Sequence, residues 1–146
     1  MRKINYIVVH CSATREAVRL LPRLWRQSTA ARGFRTTGYH YYIRRDGTVL
    51  GTRSLELPGA HCRGHNKYSI GICYEGGLDA RGNPKDTRTP EQRSALHLLV
   101  YQLLQQFRNA RVCGHRDLSP DLDGDGTVEP WEWVKQCPCF EVSKEF

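Results

Sequence analysis

No stretch of this 146-residue chain approaches the ~18 to 20 consecutive apolar residues that a membrane-spanning helix requires. The basic N-terminus meets only three apolar residues, Ile7, Val8 and Val9, before His10 interrupts them, too few for the apolar region of a secretory signal. The expectation is a protein made in the cytoplasm with no export route of its own. Repeats and interdomain linkers are also lacking, which points to one domain over residues 1–146. Acidic residues are in the minority, 15 against 22 Lys and Arg, for a formal charge of +7. That excess suits anionic partners such as nucleic acid, wall polymers or membrane surfaces, and it serves solubility equally well. The basic residues are scattered in pairs, Arg2 with Lys3 and Arg44 with Arg45, without a dense stripe or interleaved aromatics. Nucleic acid is therefore not the expected partner.

Apolar residues make up 39% and charged residues 25% of the chain, as in ordinary soluble globular proteins. A chain this long buries roughly two-thirds of its unfolded surface, so it needs neither metal nor disulfides merely to fold. The six cysteines, Cys11, Cys62, Cys73, Cys113, Cys137 and Cys139, lack a secretion signal to place them in an oxidising compartment. They read as free thiols with one metal ligand among them. Cys73 and Cys113, in apolar surroundings, read as small buried hydrophobes.

Ile4 to Val9 is a short β-rich run that delivers His10 at its end, and Val112 to His115 repeats the arrangement. Leu21, Leu24, Trp25 and Ser28 give 20–32 helical spacing, ended by Gly33. Residues 38–44 and 48–53 flank Asp46-Gly47, which predicts a hairpin with a two-residue turn. Residues 55–69 are irregular and predicted to lie over the site, and 70–74 return to strand composition. From Thr89 a strong helix is expected. Thr89 and Gln92 form a capping box around Pro90, and Leu96, Leu99, Val100, Leu103, Leu104 and Phe107 make one face.

Two histidines at neighbouring strand ends invite a metal, and catalytic zinc takes three protein ligands from His, Cys or carboxylate and leaves a fourth position open. With six His and six Cys available, composition alone does not choose them. The ordered motifs VVHCSAT (8–14), GYHYYI (38–43), SIGICYEGG (69–77), GHRD (114–117) and KQCPCF (135–140) together resemble the amidase-2 family. That family includes small phage lysozymes with amidase activity and the peptidoglycan recognition proteins, and the resemblance spans essentially the whole chain. It implies an α/β fold: a mixed central β-sheet of about five or six strands flanked by helices.

The resemblance also implies a zinc-dependent hydrolase that cleaves the amide between N-acetylmuramic acid and L-alanine in peptidoglycan, with Zn2+ on His10, His115 and Cys137. Cys139 competes with Cys137, because a Cys-Pro-Cys segment brings two thiols close together. Tyr39 of the GYH motif and Lys135, two residues before the ligand cysteine, are the implied catalytic side chains. Lys135 suits oxyanion stabilisation, and Tyr39 suits orienting water or protonating the leaving amine. His61, Asn66 and Arg63 are the expected substrate contacts. Glu75 is a weaker candidate base. The rival function is peptidoglycan binding without cleavage, although proteins of that kind typically lack the ligand cysteine. A monomer acting on the cell wall after release or export by another route is the expectation.

An inserted loop at 117–132 departs from the short phage-type pattern. Asp121, Asp123, Asp125, Gly126 and Glu132 occupy the positions of a calcium-binding D-x-[DN]-x-[DN]-G-x5-E loop. Thr127 stands where such loops supply a backbone carbonyl. Ca2+ is thus a candidate second ion, against a solvated Asp/Gly-rich turn.

Overall fold

The computed structural model describes residues 1–16 and 37–146. The helix expected at 20–32 lies outside them. The central sheet has five strands: β1 (Tyr6–Cys11), β3 (Tyr41–Ile43), β4 (Val49–Gly51), β5 (Ser69–Tyr74) and β7 (Arg111–Gly114), in the order β4-β3-β5-β1-β7. β1 runs parallel to β5 and β7, and β3 runs parallel to β5 but antiparallel to β4, so the sheet is mixed as expected. A second sheet pairs β2 (Thr14–Arg15) with β6 (Gly77–Leu78).

Strand side chains alternate between faces, and the sequence uses that alternation to separate core from chemistry. Ile7, Val9 and Cys11 of β1 join Ile70, Ile72 and Tyr74 of β5 in one buried cluster. Against them packs α1 (Pro90–Gln106) through Leu96, Leu99, Val100 and Leu103. The opposite face carries Val8 and His10 beside Gly71 and Cys73, their register partners in β5.

The start of α1 matches its sequence signature. Thr89 Oγ1 accepts from Gln92 N at 3.1 Å, and Gln92 Oε1 accepts from Thr89 N at 3.0 Å. Gln92 is fully buried, and its amide also donates to the carbonyls of Ile43 (3.2 Å) and Glu75 (2.9 Å). One side chain thus caps the helix and ties it to the ends of β3 and β5. Leu104 and Phe107, expected on the core face, are only partly buried at its margin.

The hairpin forms, but its turn is longer than expected. Arg44 N donates to Thr48 O and Gly47 N donates to Arg44 O, both at 2.9 Å, which encloses Arg45, Asp46 and Gly47. A two-residue type I′ turn needs positive φ at both central residues, and here only Gly47 has it (86°). Asp46 instead uses its carboxylate to accept Thr48 N at 2.9 Å. All six cysteines are free thiols. Among the described residues no helix is long and apolar enough to cross a membrane.

Candidate metal centre

His10 enters the site at the end of β1, buried to 1% exposure. His115 follows β7 directly and opens a short 3-10 turn, His115–Leu118. Two parallel strands side by side therefore bring the two imidazoles together, with ring centroids 4.6 Å apart. Cys137 arrives from the distant C-terminal segment and is held by backbone contacts. Arg116 N donates to Cys137 O at 2.9 Å, and Cys11 N donates to Cys137 Sγ at 3.2 Å.

The ligand atoms of His10, His115 and Cys137 all lie within 4.8 Å of one another. Cys137 Sγ is 3.8 Å from His10 Nδ1. Tetrahedral zinc, with Zn–N of ~2.0–2.1 Å and Zn–S of ~2.3 Å, separates a nitrogen ligand from a sulfur ligand by roughly 3.6 Å. Two imidazoles and a thiolate spaced in this way fit zinc and leave its fourth position to water or substrate. Burial, reinforced by the nearby His61, His115 and Lys135, holds the His10 pKa well below its ordinary 6.5. The ring is therefore neutral and able to offer a lone pair. The second thiol of the Cys-Pro-Cys segment points elsewhere: Cys139 Sγ lies 3.3 Å from Gly77 O.

Behind His10 stands His61. Its Nδ1 is 2.8 Å from His10 Nε2, and its Nε2 is 3.1 Å from Ser69 Oγ. Burial lowers the His61 pKa to about 3. Asn66 Oδ1 accepts the backbone N–H groups of His61 and Cys62, both at 2.9 Å. Tyr39 lies against both rings, its centroid 5.2 Å from that of His10 and 6.4 Å from that of His61. The Tyr39 hydroxyl is within hydrogen-bonding reach of the Cys73 thiol.

Residues 1–138 match the N-acetylmuramoyl-L-alanine amidase family. The chain belongs to that family. This amidase is 36% identical over 143 residues to an endolysin of Klebsiella phage KP32, covering 98% of this chain and 85% of the relative. It is 34% identical over 138 residues to an endolysin of Escherichia phage T7, covering 94% and 82%. An N-acetylmuramoyl-L-alanine amidase, LysC from Clostridium intestinale, has the same fold with a TM-score of 0.75 at 26% identity, over 99% of this chain and 82% of that one. The fold also matches a peptidoglycan recognition protein of Apis mellifera, with a TM-score of 0.72 at 18% identity over 99% and 82%. The activity is that of an N-acetylmuramoyl-L-alanine amidase, a hydrolase that degrades peptidoglycan.

In the amidase a groove opens beside the metal cluster, lined by His115, Lys135, Arg63, His65, Asp117 and Ser119 among others. Lys135 is exposed, and its charge is felt at His10. Arg63 is likewise exposed along the groove, whereas Asn66 spends its side-chain oxygen on the loop and His61 faces His10. Glu75 is fully buried, with Arg45 Nε 3.9 Å away. Sequence reading did not single out Ser69, Asp117 or the Cys11 amide. Asp117 Oδ2 accepts Gly114 N at 2.8 Å, fixing the turn that begins with His115. Its place in the GHRD motif was the available signal.

The acidic loop of the amidase gathers its carboxylates in two overlapping groups, Asp121 with Asp123 and Glu132, and Asp123 with Asp125 and Glu129. Asp121 accepts Gly124 N and Gly126 N, both at 2.8 Å, and Asp125 Oδ1 accepts Thr127 N at 2.8 Å. Glu132 is buried and accepts from Leu122 N (2.6 Å) and Glu129 N (2.8 Å). Arg116 stacks on the Trp133 ring at 3.9 Å, joining the end of the loop to the residue after His115.

Proposed function

We propose that this amidase is zinc-dependent, that His10, His115 and Cys137 hold the ion, and that it cuts the bond between N-acetylmuramic acid and L-alanine in the cell wall. The convergence of two strand-end imidazoles and one thiol carries this reading. Bound zinc would polarise the scissile carbonyl and lower the pKa of a coordinated water toward ~7.

The chain's own groups supply the rest. Lys135, exposed beside His115 in the groove, places an ammonium where charge gathers on the carbonyl oxygen. Tyr39 orients the attacking water or passes a proton to the departing L-alanine amine, for which its hydroxyl turns from Cys73 toward the cluster. Arg63 offers a cation along the groove to the anionic groups of a muropeptide. His65, Asp117 and Ser119 share that wall.

The enzyme acts as a monomer of one domain, on the wall, after release from the cytoplasm. A calcium ion in the 121–132 loop would brace the connection between His115 and Cys137. The sequence pattern and the two carboxylate groups support that ion.

The test is cleavage of purified sacculi by metal-stripped protein. Activity lost with chelator and restored by zinc supports the reading. Binding to sacculi without cleavage in the zinc-loaded state overturns it in favour of a recognition protein.

A further inference from the structure

We infer that His61 is a positioning residue: by accepting a hydrogen bond from His10 it fixes the His10 tautomer whose Nδ1 is free for the metal, and Ser69 fixes His61 in turn. The inference rests on the zinc reading above.

The proton count leaves one arrangement. A neutral imidazole carries one N–H and one lone pair, and a contact between two ring nitrogens holds a single proton. His10 Nδ1 faces Cys137 Sγ at 3.8 Å and must be bare to bind the metal. The His10 proton then sits on Nε2, so His61 Nδ1, 2.8 Å away, is the acceptor. The His61 proton is left on Nε2 and is donated to Ser69 Oγ at 3.1 Å. Both ring nitrogens of His61 are thus engaged within the protein, which leaves neither for substrate.

The fold holds this ring in a built slot. On the site face of β5, position 71 is glycine, and a Cβ there would come within 2.6 Å of His61 Cγ and Cδ2. A Cβ at Gly59 would likewise come within 2.4 Å of His61 Cδ2. Asn66 fixes the backbone of the loop by accepting from His61 N and Cys62 N. Two bare glycines and a gripped backbone set the ring's position before any substrate arrives. Metal-ligating histidines usually direct their second nitrogen to a carboxylate, a backbone carbonyl or water. A neutral imidazole in that role orients the ligand while adding no negative charge to that of Cys137.

Zinc affinity, measured by competition with a chelator, tests this in His61→Asn and His61→Leu. The two side chains are nearly the same size, and only Asn keeps an acceptor near the position of Nδ1. His61→Leu should lose roughly 10–100-fold in affinity, the range for an outer-shell partner, while His61→Asn retains most of it. Equal losses in both variants would mean that the ring only packs, and the inference falls. Unchanged zinc affinity with a raised KM would make His61 a substrate contact, which also overturns it. If neither variant folds, the zinc-loaded wild type decides through its long-range 1H–15N imidazole spectrum. An unprotonated His61 Nδ1 with a protonated Nε2 is expected, and the reverse overturns the inference. Wild-type protein that binds no zinc would sink the metal reading itself, an outcome distinct from intact zinc binding with unaffected variants.

Discussion

The backbone N–H of Cys11 donates to Sγ of Cys137 across 126 residues of sequence, at 3.2 Å. The strand that presents His10 thus also presents, one residue later, a donor to the third candidate ligand. That donor, with His10 Nδ1 3.8 Å from the same sulfur, holds Sγ beside the imidazoles.

From this contact follows a difference between two neighbouring thiols. Cys137→Ala should lose stoichiometric zinc, and its activity should fall by more than the roughly 10–100-fold that removal of an outer-shell partner costs. Cys139→Ala gives up contacts with Gly77 O and the Cys11 thiol but no candidate ligand, so zinc content should stay near one per chain and stability should drop by about 1 kcal/mol. Metal analysis of the two purified variants checks this, and retention of zinc by the Cys137 variant would reverse the assignment.

Lys135 and Tyr39 should separate kinetically from the ligands. Lys135→Ala is expected to lower kcat by about 10² to 10³-fold, as loss of an oxyanion donor does, with zinc content unchanged. Tyr39→Phe should lower kcat by about 10² to 10⁴-fold if its hydroxyl moves a proton. An unaltered kcat in Tyr39→Phe would confine Tyr39 to packing its ring on His10 and its hydroxyl on Cys73.

Acid should destabilise the zinc-free protein through its buried neutral histidines. His40 is fully buried, with Nδ1 accepting Gly71 N at 3.1 Å and Nε2 donating to Leu57 O at 2.9 Å. Burial lowers its pKa to about 4, whereas the unfolded ring titrates near ~6.5. The folded state binds fewer protons, so this stability is fully present above about pH 6.5 and is lost as pH falls toward 4. The difference amounts to roughly 3 kcal/mol for this one group. Urea unfolding across that window should show a shallower pH slope in His40→Gln than in wild type, and identical slopes would contradict the assignment.

Calcium should be read by the tryptophans at the end of the acidic loop. Trp131 is 63% exposed and Trp133 stacks on Arg116, so filling the 121–132 loop should change their fluorescence and saturate below millimolar calcium. An unchanged spectrum at millimolar calcium would count the loop as a solvated turn.

Local signals made much of the fold and part of the site legible. His10 and His115 stood out because each ends a β-rich run, and such runs became the parallel strands β1 and β7. The helix from Pro90 was legible because Thr89, Pro90 and Gln92 set its start within four residues. The hairpin turn was misjudged because Asp-Gly serves two loop lengths, and the choice lay in Asp46 bonding Thr48. Cys137 and Cys139 are indistinguishable by composition, and what separates their surroundings, the Cys11 amide and the Gly77 carbonyl, is remote in sequence. His61 posed the same difficulty, since its partner His10 is 51 residues away and its slot depends on Gly59 and Gly71.

The most direct test counts the chain ends that the enzyme makes. Purified sacculi are digested with protein as isolated, after chelation and after zinc is restored, and new N-terminal L-alanine is quantified beside new sugar reducing ends. The expected result is N-terminal alanine that appears, vanishes and returns with zinc, while reducing ends stay constant. Reducing ends without N-terminal alanine, or alanine release indifferent to chelation, would contradict a zinc amidase built on His10, His115 and Cys137.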